Sequence, residues 1–185
     1  MTRLPRSAFL LALAALPALA GCSGRGGSVM NQRPTAPCPR VALLADAVDL
    51  TRYRPGARPD IGTVEVDARM IGFQARCDYA PRDAGLDVIL TVQVSAERGP
   101  AATSRTAGLP FLIAVTEGTE SRVLNKATDT VQVTFGEGER STVAQSAEMM
   151  VRLPGNPQRA AEKVILVGFQ LTPEQLAENQ RRGVR

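Results

Sequence analysis

The chain has 185 residues, a formal charge of +4, and a composition that is 44% hydrophobic but only 4% aromatic. It contains no His and no Trp, which excludes a Ser-His-Asp or Cys-His catalytic centre, a His-ligated zinc site and a histidine pH switch within this chain. The length fits one domain with a tail, and a core built from Val, Leu, Ile and Ala.

The first segment, residues 1–21, reads as a signal peptide. Arg3 and Arg6 form a positive start, and Ala8 to Ala20 is apolar apart from Pro17. That stretch is shorter than the ~20 apolar residues needed to span a bilayer. It ends in Leu19-Ala20-Gly21-Cys22. Two small residues directly before a Cys at this position resemble the lipobox of bacterial lipoproteins. The resemblance implies cleavage before Cys22, a thioether to diacylglycerol on its sulfur, and an acyl chain such as palmitate on the new amino group. It also implies a partner, the membrane, held through lipid. In that family a residue other than Asp after the Cys, here Ser23, goes with transfer to the outer membrane, so the expected location is the cell envelope, lipid-anchored and facing the periplasm.

Residues 22–39 have linker composition, Gly- and Ser-rich and then Pro-rich at Pro34, Pro37 and Pro39. Loss of Arg3 and Arg6 with the signal peptide leaves a mature charge of +2, carried almost wholly by Arg. Arg25, Arg33, Arg40, Arg52, Arg54 and Arg58 crowd the start of the mature chain. They suit either contact with anionic headgroups or a solvated tether. Nucleic acid is not expected as a partner, because aromatics are scarce and no basic stripe interleaves with them.

With Cys22 assigned to lipid, Cys38 and Cys77 remain. Two cysteines in an exported protein read as one disulfide. Closing its loop of about 40 residues would stabilise the fold by roughly 3.9 kcal/mol in the chain-entropy treatment. Two buried thiols, or a two-Cys metal site completed by carboxylates, are the alternatives.

From residue 40 to residue 185 the dominant period is two. Val64 to Met70, Phe73 to Tyr79, Val88 to Val94 and Val131 to Phe135 alternate apolar with polar residues. Val143, Ala147, Met149, Val151 and Leu153 share one parity. Each run reads as a half-buried strand. Leu109 to Val115 and Val164 to Leu171 are more continuously apolar and read as central strands, and Val41 to Leu44 as a short first strand. The phase slips at Gly72, which predicts a bulge or a corner. Pro81 to Gly85 and Gly136 to Glu139 predict hairpins, and Pro154 to Pro157 a loop. The fold class is all-β: an antiparallel β-sandwich, immunoglobulin- or fibronectin-like, of seven or eight strands.

A short C-terminal helix is predicted over 173–182. Thr172 caps it, Pro173 opens it, Gln175 completes a capping box, and Leu171 with Leu176 forms a hydrophobic staple expected to dock it. Arg181 and Arg182 suit its last turn and Gly183 its end. The stretch Val167 to Leu176, followed by Asn179 and preceded far upstream by Cys38-Pro39, is similar to small lipoproteins of the proteobacterial envelope. That resemblance implies location and no particular activity.

No catalytic residue, metal ligand or cofactor site is predicted. The Gly136-Glu137-Gly138-Glu139 acids are too few for a calcium loop, and no Ser-x-x-Lys pattern precedes Lys126 or Lys163. The leading expectation is a non-catalytic binding or envelope-assembly module, meeting an envelope protein through an added edge strand or its end loops. The alternative is a carboxylate-dependent hydrolase of envelope polysaccharide. It would draw on Asp46, Asp49, Asp60, Asp67, Asp78 and Asp83, with Asp46, Asp67 and Asp78 the positions to find in one cleft.

Overall fold

A computed structural model describes residues 35–118 and 122–183. The signal segment, Cys22 and most of the linker lie outside the described residues. Among the described residues nine strands form two packed sheets. They are β1 (Arg40–Leu43), β2 (Asp49–Tyr53), β3 (Val64–Tyr79), β4 (Gly85–Arg98), β5 (Thr106–Thr116), β6 (Val123–Thr134), β7 (Ser141–Gln145), β8 (Met149–Pro154) and β9 (Val164–Phe169). One sheet has the order β1-β9-β5-β6. In the other, β2-β3-β4 is followed by β7 and β8, which share the far side of β4. The fold is thus an all-β sandwich. All strand pairs are antiparallel except β1 and β9, which run parallel with Arg40 opposite Val164.

The alternation seen in the sequence builds the core. Val66, Ala68 and Met70 of β3, the even-numbered apolar residues of β4 from Leu86 to Ala96, and Leu109, Phe111 and Ile113 of β5 are all buried. Val131 and Val133 of β6 and Ile165, Val167 and Phe169 of β9 close it from the other sheet. The predicted bulge is present: Met70 faces Val94 and Gly72 faces Gln93, so Ile71 is the extra residue. It lies outside at 49% exposure, and Phe73 returns to the inner face.

Four expectations need correction. β7 and β8 are two strands, because three residues (146–148) stand opposite two (91 and 92) of β4. Ser146 holds this break: its N–H donates to the Val92 carbonyl and its Oγ accepts from the Val92 N–H at 3.0 Å. The extra residue flips the parity, so Val143 points outward and Ala144 packs on the core. Second, Gly136 to Glu139 closes no hairpin. It carries the chain from β6 in one sheet to β7 in the other. Third, the loop before the last strand ends in a short helix, α1 (Pro157–Ala161), whose N-terminus is capped by Asn156. Fourth, β2 adds a strand that the pattern concealed, since the inner parity of Asp-Leu-Thr-Arg-Tyr offers one large apolar residue, Leu50.

Pro81 to Gly85 does close the β3–β4 hairpin. The C-terminal helix α2 spans Pro173–Arg182 with its capping box complete: Thr172 Oγ1 accepts from the Gln175 N–H and Gln175 Oε1 accepts from the Thr172 N–H.

Candidate functional site

Cys38 and Cys77 form a disulfide, with Cα atoms 5.6 Å apart. Cys38 stands two residues before β1 of one sheet, and Cys77 lies on β3 of the other, so the bond ties the end of the linker across the sandwich.

The acidic residues of the first half do not converge. Asp67 and Asp78 sit eleven residues apart on β3, about 36 Å at ordinary strand rise. Asp46 lies on a 3₁₀ turn, where Gln180 donates to it at 3.2 Å. Each remaining carboxylate has a local task or an exposed place. Asp60 caps the turn Ile61–Thr63 by accepting from the Gly62 N–H. Asp67 accepts from Thr51 Oγ1 at 2.8 Å. Asp49 is buried and pairs with Arg69 at 3.2 Å. Asp83 sits at the tip of the β3–β4 hairpin. Asp46, Asp67 and Asp78 therefore share no cleft. Among the described residues no group of three or more potential metal ligands assembles. Glu139 turns back to accept from the Gly136 N–H, which closes its own loop.

The early arginines are not all in the segment before the fold. Arg52 belongs to β2; its guanidinium reaches Glu65 at 3.3 Å and donates to the Gly108 carbonyl of β5 at 3.1 Å, joining the two sheets.

The sheet edges are shortened or partly occupied, each by a different device. On β2 the outward carbonyls of Asp49 and Thr51 accept from Asn179 and Gln175 of α2. On β6 the bond from the Phe135 N–H to the Arg105 carbonyl fixes the alternation, so that even-numbered residues present their backbone outward. Two of those outward N–H groups, on Lys126 and Thr130, are taken by Asn125 Oδ1 and Asp129 Oδ1, each at 2.8 Å. The third edge is broken by Ser146 into β7 and β8, and the fourth, β1, is four residues long.

The two outer faces differ in chemistry. That of the five-stranded sheet is laced with ion pairs and hydrogen bonds, among which Ile71, Val143 and Met150 stand exposed. Its rows include Arg76 with Glu148 at 2.6 Å, Thr91 with Gln145 at 2.9 Å, and Asp87 held by two bonds from Arg152 at 2.7 and 2.8 Å. These bonds hold the Asp87 carboxyl below the usual aspartate range, and Arg76 does the same for Glu148. The face of the four-stranded sheet is apolar along β1, β9 and β5, where Ala42, Leu112, Ala114, Val164 and Leu166 occupy the parity opposite to the core residues, and polar along β6, which presents Lys126, Thr128, Thr130 and Gln132. The turn Ala45–Ala47 lies over one end of it, where Gly168 has no side chain to meet Ala47 and Leu44. Between that turn, α2 and Leu112 runs an apolar groove of about 430 Å³. A larger groove of about 660 Å³ at α1 is polar, lined by Glu117, Asn156, Arg159 and Lys163 among others.

Sequence reasoning did not see this second face. Its signal was the unbroken apolar character of Leu109 to Val115 and Val164 to Leu171, which ordinarily marks strands covered on both sides. No protein-family model matches the chain, and neither a curated protein nor a solved structure does.

Proposed function

We propose that this chain is a lipid-anchored protein of the bacterial envelope, a non-catalytic sandwich that works as a binding or assembly module facing the periplasm. The observation that carries the reading is the disulfide between Cys38 and Cys77. Such a bond forms and persists in an oxidising compartment, which an exported protein reaches. The sequence supplies the route, a charged and then apolar leader that stops at Leu19-Ala20-Gly21-Cys22. Two or three acyl chains at Cys22 would make the anchor stable, at ~0.8 kcal/mol per buried CH₂.

A partner would meet an exposed edge strand or the end loops of the sandwich. The test is incorporation of [³H]palmitate in cells producing the wild type or Cys22→Ala. Label is expected in the wild type and absent from the variant; equal labelling overturns the anchor. Sedimentation of the labelled membranes then separates inner from outer, with the outer fraction expected from Ser23.

A further inference from the structure

The geometry points to the outer face of the four-stranded sheet as a bilayer-docking surface that lies on anionic lipid. This inference rests on the lipid-anchor reading and adds to it which side of the molecule meets the membrane.

Three observations converge. First, β5 and β9 are apolar on both faces, yet the sandwich covers only the inner one. Leu112, Val164 and Leu166 are left half-buried on the outside. Strands of this composition belong where both faces are removed from water. Second, the charges are one-sided. Among the described outward positions of this sheet there is no carboxylate, and the charged side chains are Arg40 on β1 and Lys126 on β6. Asp46 stands at the rim, bonded by Gln180, and Glu117 at the opposite end is paired with Arg122 at 2.8 Å. The other sheet's outer face carries Asp49, Asp67, Asp78, Asp87 and Glu97, and its cations Arg69, Arg76 and Arg152 are paired with Asp49, Glu148 and Asp87, so acids outnumber cations there. A surface rich in phosphatidylglycerol would attract the first face, at ~1 kcal/mol per cation, and repel the second. Third, the chain enters the fold through β1, an edge strand of this same sheet. Cys22 is 18 residues before Arg40, a reach of at most about 60 Å. A connection of that length is enough for this face to reach the bilayer in which lipid at Cys22 would sit.

The absence of Trp from the chain makes a clean test possible. Single reporters are placed by Thr128→Trp, exposed on β6 opposite Leu112, and by Val143→Trp, exposed on the acidic face. The lipidated proteins are reconstituted in phosphatidylethanolamine–phosphatidylglycerol vesicles with or without brominated acyl chains. Thermal melts matching the wild type establish that both variants fold, and Thr130→Trp, exposed on the same face opposite Pro110, replaces the first reporter should Thr128→Trp not. The Thr128→Trp emission is expected to shift to the blue and to be quenched at least two-fold more than that of Val143→Trp. Replacing phosphatidylglycerol by phosphatidylcholine should reduce the difference. Protein that floats with the vesicles while both reporters respond alike overturns the docking face and leaves the anchor standing. Protein that does not float overturns both. A blue shift of Thr128→Trp that grows with protein concentration in the absence of vesicles assigns the face to a second copy, and also overturns the proposal.

Discussion

Arg82 and Asp83 both adopt left-handed backbone, with φ of 60° and 55°. Together they are the central pair of a type I′ turn, closed by the Ala84 N–H on the Pro81 carbonyl at 3.4 Å. The turn's twist suits the β3–β4 hairpin, and Asp tolerates the conformation, but Arg has no local hydrogen bond to offset it. Arg82→Asn should therefore raise stability by about 0.5–1 kcal/mol, read as a higher urea midpoint at unchanged slope. Asp87 poses the opposite case, a residue suited to its place only while ionised. Its carboxyl is stabilised as the anion by the hydrogen bonds from Arg152, against a smaller opposing effect of burial. The folded-state pKa is thus below the unfolded one. The contribution is complete at neutral pH and disappears as pH falls below about 4, through the folded value. Asp87→Asn should be less stable than wild type at pH 7, and the gap should close towards about pH 2. Urea midpoints measured across that range check it.

α2 shows what a short helix needs beyond its own sequence. Ten residues make a marginal helix in water. The expected staple places Leu171 against the core, but Leu176 remains 37% exposed, beside the apolar groove. Amides do much of the docking instead. Asn179 is buried and donates to the carbonyls of Asp46 and Asp49 at 2.9 and 2.8 Å, while Gln175 donates to Thr51. Asn179→Ala leaves two carbonyls without this donor and should cost about 1–3 kcal/mol. Hydrogen exchange should then rise along α2 and β2 before global unfolding, whereas an unchanged melt and exchange pattern would count against this account. The capping box of α2 was legible because it is a contact between residues three apart. The role of Asn179 was not, because its partners lie more than 125 residues away on an edge that the chain itself does not mark.

At the scale of the whole molecule, alternation revealed the layers and left their connections hidden. The core faces of β3, β4 and β6 follow from period-two patterning, and the bulge at Gly72 follows from a break in it. A single inserted residue around Ser146 reverses the parity of β7, and a mixed run such as Val143 to Leu153 gives no sign of where that residue falls. Nor does a turn sequence reveal whether its strands pair or cross: Pro81 to Gly85 joins neighbours, and Gly136 to Glu139 joins opposite sheets. Of the candidate site, the cysteine pair was legible from compartment and count. The apolar patch on β1, β9 and β5, free of carboxylates, was not, since it emerges only when those strands and β6 are set side by side in register.

The disulfide also determines how the fold carries mechanical load. A protein held at its N-terminal end feels any drag on the domain as tension along the chain, entering through Cys38. The bond passes that tension directly to Cys77, within the β3–β4 ladder. The 38 residues from Pro39 to Arg76 lie inside the covalent loop, including β1 with its short parallel pairing and the whole of β2. Roughly 130 Å of chain is thereby withheld from extension. Force applied at Cys38 therefore reaches the long β3–β4 ladder, and β1 cannot be drawn out of the loop first.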